Sequence, residues 1–178
     1  RVFRARSTLE ALARDSVEAY FNGMSIFRDN MRRELFSNAF KAKLNGYNAV
    51  EVFHRHAKKA ETTESLALIQ YLDLKTYLVG DINTKVDRAS MAHSLEVREP
   101  LMDHPLVEWL ASLPPSLKIR GGEGKFLLKK SMESRLPPEV RYRPKQGFAV
   151  PLAQWFPGPL RHPLSAAYLG PRLAPSGL

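Results

Sequence analysis

Apolar residues recur at three- and four-residue spacing along most of the chain, which is the spacing of one face of an α-helix. Polar, glycine-containing and proline-containing breaks divide this pattern into segments. These segments predict helices at 7–21, 29–44, 49–59, 63–80, 81–94, 104–113 and 125–135. Alternation of apolar and polar residues, which indicates strands, is scarce. The pattern therefore predicts a mainly α protein with irregular connections between its helices.

One connection carries polar residues whose spacing indicates a structural role. The stretch LEVREP, at 95–100, alternates and ends in proline, so we expect it to be extended. Glu96 and Arg98 then point to the same face and can form a salt bridge that fixes the segment. Asp103 directly precedes the helix predicted at 104–113, where its carboxylate can cap the first free amides.

Composition narrows the class of protein without deciding its function. The 178 residues are 44% hydrophobic, enough for one domain of ordinary size with a core. The absence of cysteine excludes disulfides and thiolate metal sites and agrees with a cytoplasmic location. No apolar run is long enough to cross a membrane. His54 and His56 lie two positions apart and do not share a helix face, so we predict no metal site.

The formal net charge of +9 favours a partner that carries phosphates. Solvated helix faces explain scattered charge equally well. The cations do not gather in one basic run with aromatic neighbours, and no known reader motif occurs. Nucleic acid is therefore not the predicted partner. The placement of individual charges has to decide between another phosphate-carrying partner and solvated helix faces.

Asp87 is the first candidate for chemistry. It lies in the helix predicted at 81–94, and Lys85 and Arg88 fall on another side of the helical wheel. Small polar residues share its stripe, namely Asn83, Ser90 and Ser94. A carboxylate among such groups can orient a substrate amine or act as a base. An exposed carboxylate that pairs with a neighbouring helix fits the same pattern, and the pattern alone favours that second interpretation.

A glycine-rich loop precedes the last long predicted helix. GGEGK, at 121–125, resembles a phosphate-binding loop because glycines and a lysine come before a helix start. A Walker motif needs Ser or Thr after the lysine, and Phe126 stands there instead. The alternative is a flexible loop with Lys125 on the first turn of the following helix.

RPKQGF, at 143–148, is the most specific local signal. Pro144 biases Arg143 toward an extended conformation, and Gly147 permits backbone geometry that other residues resist. Lys145 is therefore expected on a stiff, non-helical segment. It can serve there as a point charge for phosphate, or it can belong to a basic surface turn.

Three motifs in one order carry a resemblance to a known family. They are KVDRASMAHSLEVREPLMDH, LPPSLKIRGGEGKFLLKK and LPPEVRYRPKQGFAVPLAQWF. Together they resemble the C-terminal synthetase domain of glutamine-dependent, class B asparagine synthetases, over about 71–160. The resemblance implies the helical C-terminal portion of an α/β adenine-nucleotide α-hydrolase-like domain, the PP-loop ATP pyrophosphatase type. It also implies a ligase that uses Mg2+ and ATP to make a β-aspartyl-adenylate from aspartate. Ammonia from a glutaminase domain then displaces AMP to give asparagine.

The resemblance assigns roles to residues that match the motifs. Lys145 occupies the position of the catalytic lysine, which stabilises charge at the reacting phosphate. Asp87 matches an acidic active-site position that orients the substrate or the incoming amine. The cations Lys125 and Arg143 are expected near the nucleotide phosphates. The remaining matches are expected to support the site, and they are Glu96, Arg98, Asp103 and Gly147.

The chain also departs from the family pattern. No SGGxDS pyrophosphate loop, no acidic GEGxDE-type loop and no nucleophilic cysteine occurs in it. We therefore expect a fragment whose missing partners are the glutaminase domain and the PP-loop segment of the same parent, and we expect the chain to be inactive alone. The resemblance implies that 1–160 forms the synthetase-like part, and the proline and glycine content predicts a tail at 161–178.

Other functions stay open from the sequence. Glu99 stands where family patterns often have valine, which weakens the assumption that aspartate is the substrate. A related amidotransferase acting on another carboxylate, in cell-surface polysaccharide or secretion pathways, is one alternative. A non-catalytic helical interaction module is another, and a homodimer is compatible with either.

Overall fold

The structure is a computed structural model, and it describes residues 15–144 and 151–169. The chain divides into two compact units. One combines Arg1–Arg28 with Tyr47–Ser131, and the other combines Asp29–Gly46 with Met132–Leu178.

The first unit is built from helices joined by short turns. Its helices are α1 (Ser16–Met24), α4 (Val50–Ala57), α5 (Ser65–Lys75), α6 (Thr84–Met91), α7 (His104–Ser112), α8 (Pro115–Lys118) and α9 (Phe126–Ser131). A π-helical turn, Leu78–Asn83, joins α5 to α6, and a 3-10 turn, Pro100–Met102, precedes α7. Strands β1 (Ile119–Arg120) and β2 (Glu123–Gly124) form a small hairpin.

The core of this unit lies where α1, α4 and α5 meet. Val17 and Phe21 of α1 and Leu72 of α5 are buried, and Leu72 has no exposed surface. The rings of Phe21 and Phe53 pack edge to face, with their centroids 5.0 Å apart. The Tyr20 hydroxyl donates a hydrogen bond of 2.5 Å to Oδ1 of Asp73, which ties α1 to α5. A three-helix cluster therefore anchors the unit.

Burial and this hydrogen bond change the chemistry of Tyr20. Loss of solvent is the larger cause and the Asp73 carboxylate is the next, and both raise the pKa of the Tyr20 hydroxyl well above its usual range. The phenol is therefore a fixed donor at any ordinary pH, so the α1–α5 bond persists across the physiological range.

The helical run from α5 to α6 is not uniform. Its amides and carbonyls follow the α pattern as far as Thr76, whose amide donates to the Leu72 carbonyl over 2.9 Å. The π-helical turn follows, and α6 resumes at Thr84. Every residue of α6 except Ser90 is exposed. The two long helices predicted at 63–80 and 81–94 are thus one helical run interrupted by a π turn.

Two glycines explain the hairpin at 119–124. Ile119 pairs with Gly124 and Arg120 with Glu123, which leaves Gly121 and Gly122 as a two-residue turn. Their φ angles are 59° and 78°, both in the left-handed region that a type I′ turn requires. The sequence left a flexible loop open as one interpretation here, and the structure has a hairpin instead, for which Gly-Gly is also a signal.

The second unit contains short helices as well. They are α2 (Asp29–Leu35), α3 (Asn38–Leu44), α10 (Pro138–Arg141), α11 (Leu152–Trp155) and α12 (Arg161–Leu169). The single helix predicted at 29–44 is divided at Ser37, whose hydroxyl accepts a hydrogen bond from the Phe40 amide and caps α3. Helix α3 ends at the predicted signal, with Asn45 and Gly46 both at positive φ.

Residues 151–169 are described at the C-terminal end, and they include the start of the predicted tail. The region assigned to a Pro/Gly-rich tail begins with helix α12, and 170–178 lie outside the described residues. The division of the chain at residue 160 stays a prediction. Within the described ranges, no helix has the length and apolar character needed to cross a bilayer.

Candidate functional site

Asp87 lies on α6 with its side chain 62% exposed. The guanidinium of Arg88 lies beside it, with Nε 3.9 Å from Oδ2. The helical wheel had separated these two charges, and the structure differs because the long arginine side chain bends back toward its neighbour. Such an exposed and distant pair contributes little to stability, so the carboxylate remains available to a ligand.

The predicted pair between Glu96 and Arg98 is confirmed. Nη2 of Arg98 donates to Oε1 of Glu96, and both residues lie in the irregular stretch between α6 and the 3-10 turn. Both side chains are largely exposed. The pair joins side chains on the same face, as alternation predicted, and its exposure limits its contribution to stability.

Asp103 occupies the N-cap position of α7, but its side chain makes no capping hydrogen bond. The capping prediction is therefore right about the position and wrong about the interaction. Pro105 in the first turn has no amide hydrogen, which removes one of the donors that a cap normally accepts. Instead the backbone carbonyl of Asp103 accepts from the Val107 amide at 2.9 Å.

Lys125 links the hairpin to α9. Its φ of 61° places it in the left-handed region, so it stands before the helix rather than on its first turn as predicted. A side-chain ion pair between Glu123 and Lys129 spans the junction. The guanidinium of Arg120 lies over the Phe126 ring, 5.0 Å from its centroid. These contacts hold an exposed lysine in a conformation that most residues avoid.

Arg143 follows α10 in an exposed, non-helical stretch, as the proline after it predicted. The preceding turn is held by Arg141, whose Nε donates to the Leu136 carbonyl over 3.0 Å. Lys145 and Gly147 lie outside the described residues. The roles assigned to both from the sequence therefore stay predictions.

Of the described site residues of the first unit, the structure pairs Glu96 with Arg98, while Asp87, Asp103 and Lys125 have the separate local contacts given above. Sequence reasoning missed the pair between Asp81 and Lys85, whose carboxylate and ammonium lie 2.8 Å apart across the π–α junction. This hydrogen bond raises the pKa of Lys85. The i, i+4 spacing of opposite charges was a signal that could have found it.

A sequence model of the family described as asparagine synthase matches residues 3–178, nearly the whole chain. The chain belongs to the asparagine synthase family. This agrees with the motif order, because the same stretch contains all three motifs. No solved structure gives a significant match, so the fold of the complete synthetase domain rests on the resemblance.

Curated members of the asparagine synthase family are similar over much of the chain. A glutamine-hydrolysing asparagine synthetase 1 from Bacillus subtilis (strain 168) is 32% identical over 157 residues, which cover 85% of this chain and 23% of the relative. A putative glutamine-hydrolysing asparagine synthetase from Mycobacterium bovis is 39% identical over 92 residues, 52% of this chain and 14% of the relative. The Gallus gallus enzyme of the same name is 34% identical over 111 residues, 58% and 19% respectively. The chain thus spans less than a quarter of these relatives.

The resemblance implies ATP and Mg2+, which require cations for the phosphates and oxygen ligands for the metal. Exposed Lys125 and Arg143 carry the charge that phosphate oxygens require. In the described part of the chain, no group of three His, Asp or Glu side chains is placed to hold a metal ion. Each of these two cations is suited to a phosphate oxygen, and the described residues contain no preformed set of metal ligands.

Proposed function

We propose that this chain is the C-terminal part of the synthetase domain of a glutamine-hydrolysing asparagine synthetase. The proposed reaction converts aspartate, ATP and glutamine-derived ammonia into asparagine, AMP and pyrophosphate. The observation that carries the proposal is the family match over 3–178. The names of the Bacillus and Gallus relatives support the same class of ligase.

In this proposal the described side chains bind and orient. The exposed Asp87 carboxylate accepts hydrogen bonds from the ammonium of the amino-acid substrate or orients the incoming ammonia. Its weak contact with Arg88 costs little to break, because both groups are exposed. The Glu96–Arg98 pair keeps the following segment in place and contacts no substrate.

The cations stabilise negative charge. Lys125 and Arg143 each contact phosphate oxygens of the nucleotide, and the left-handed backbone of Lys125 limits the directions its side chain can take. Lys145 offsets the charge that develops when the substrate carboxylate attacks the α-phosphate. Such a positioned charge contributes several kcal/mol to catalysis.

The remaining parts of the catalytic apparatus come from outside this chain in the proposal. A PP-loop segment binds pyrophosphate and a glutaminase domain supplies ammonia, and the greater length of the relatives leaves room for both. We accordingly propose that residues 1–178 alone do not make asparagine, and that the complete domain has the PP-loop pyrophosphatase fold.

The test uses the full-length protein that contains this chain, with ATP and Mg2+. Aspartate with glutamine or ammonium should yield asparagine and pyrophosphate in equal amounts. Other carboxylic acids are the matched controls, because a related amidotransferase would prefer one of them. Preference for another carboxylate would replace aspartate as the substrate, and no pyrophosphate with any carboxylate would refute the ligase proposal.

A further inference from the structure

The turn before α6 has an unusual hydrogen-bond register. Leu78–Asn83 is a π-helical turn, in which amide and carbonyl are five residues apart rather than four, although the Gly80 amide near its start still donates to the Thr76 carbonyl, four residues earlier. Each turn of this kind accommodates one residue more than an α turn. Everything after it is rotated by about 100° about the helix axis compared with an uninterrupted α-helix. The side on which α6 presents Asp87 therefore depends on this turn.

A side-chain bond holds the same register. The Oγ1 hydroxyl of Thr84 donates to the Val79 carbonyl at 2.9 Å, five positions earlier. The hydroxyl thus satisfies a carbonyl at the junction where the π pattern gives way to the α pattern, and carbonyls at such breaks otherwise lack a helical partner. Thr84 is the first residue of α6, three positions before Asp87.

The ion pair at the junction also keeps a cation away from Asp87. Asp81, inside the π turn, binds the Lys85 ammonium at 2.8 Å. This bond draws the Lys85 cation toward the N-terminal side, away from the turn of α6 that bears Asp87. Among the described residues, the cation paired with the Asp87 carboxylate is the Arg88 guanidinium, at 3.9 Å. The junction therefore sets the angular position of Asp87 and keeps a competing cation engaged.

We infer that the π turn Leu78–Asn83, held by the Thr84 hydroxyl, positions Asp87 for its substrate, so Thr84 is a positioning residue that touches no substrate. The inference rests on the proposed function for the role of Asp87. It requires that Thr84 act through Asp87 and not through general stability.

The decisive variants differ by one group. Thr84→Val keeps the shape and removes the donor, and Thr84→Ser keeps the donor. Thr76→Val is the matched control, because the Thr76 hydroxyl donates to the Leu72 carbonyl in the same helical run but in the α pattern, at 2.6 Å. Each variant is made in the full-length protein and in an Asp87→Asn background, and aspartate-dependent pyrophosphate release is measured.

Thr84→Val should lower kcat/KM for aspartate on the order of tenfold to a hundredfold, the effect of a small misplacement of a positioned group. Thr84→Ser should restore it to within about twofold, and Thr76→Val should leave it unchanged. In the Asp87→Asn background, Thr84→Val should not lower kcat/KM further, because the carboxylate that Thr84 positions is already absent. An equal loss in both backgrounds, or no loss in either, overturns the inference.

A structural measurement separates this inference from the proposed function. The crystal structure of full-length Thr84→Val should show α6 in an α register that continues upstream, with Asp87 turned away from its wild-type direction. An unchanged π turn in that variant overturns the role of Thr84, whatever the activity. A wild-type protein that forms no pyrophosphate overturns the proposed function and the role of Asp87, and the crystal structure then decides the claim about the turn.

Discussion

Tyr20→Phe should loosen the contact between α1 and α5. The change removes one hydroxyl that donates to the Asp73 carboxylate across 2.5 Å and leaves the ring packing against Phe53 intact. Hydrogen bonds to charged groups contribute about 1.5 to 3 kcal/mol, and the part-buried setting points to the lower end. A loss of about 1.5 kcal/mol corresponds to roughly a tenfold rise in the population of opened α1.

Native-state hydrogen exchange on the full-length protein measures this directly. Amides of α1 and α5 should lose about tenfold in protection, and those of α7 should not change. Tyr71→Phe is the matched control, since Tyr71 lies on α5 and its ring contacts the Lys75 ammonium, a contact that needs no hydroxyl. Equal effects of the two variants, or unchanged protection of α1 in Tyr20→Phe, would refute the reasoning.

Three further predictions concern stability. Leu72→Ala should cost about 2 to 5 kcal/mol in the free energy of unfolding, measured by urea denaturation, because it opens a cavity at a side chain with no exposed surface; a cost below 1 kcal/mol would contradict the core assigned here. Because the pKa of Tyr20 is raised in the folded protein, the stabilisation from its hydroxyl is fully present below the unfolded pKa of about 10 and is lost as the pH rises beyond it. The thermal stability of the wild type should therefore fall more steeply above that pH than the thermal stability of Tyr20→Phe. Parallel profiles of the two proteins would refute this. Lys125→Gly should raise stability by about 0.5 kcal/mol, since relief of left-handed strain exceeds the added entropy of glycine, and it should lower pyrophosphate formation; a large loss of stability would show that the lysine is not strained.

Several elements could be predicted from local sequence because neighbouring residues decide their geometry. Asn45 and Gly46 end α3 at positive φ, which the dipeptide predicted. The pair of Glu96 with Arg98 followed from alternation in an extended stretch. In each case the geometry depends on residues adjacent in the chain, and no distant contact competes with it.

Other elements depend on competition that a one-dimensional pattern does not contain. The break at Ser37 arises because its hydroxyl caps α3, although apolar spacing continues across it. The π turn at Leu78–Asn83 carries no periodicity signal of its own, since one extra residue only shifts the pattern that follows. The hairpin at 119–124 was missed because two residues a strand are too few to show alternation.

Some features of the candidate site could likewise be predicted from the sequence, and others could not. Motif order identified the family and the residues to consider, and the family match supports that identification. The N-cap position of Asp103 could be predicted, but its interaction could not. Its side chain makes no capping hydrogen bond, and the proline in the first turn removes one of the donors. The left-handed backbone of Lys125 had no signal in the residue itself, since it follows from the hairpin and the helix on either side.

Aspartate-dependent exchange between pyrophosphate and ATP, without ammonia, isolates the adenylation step. It therefore tests whether the full-length protein adenylates aspartate and whether Lys145 takes part. It would compare the full-length protein with its Lys145→Ala variant, and with Lys59→Ala as a surface control. We expect exchange in the wild type and in Lys59→Ala, and a loss of at least about a hundredfold in Lys145→Ala with folding intact. Exchange that is independent of aspartate, or equal rates in all three proteins, would contradict this expectation.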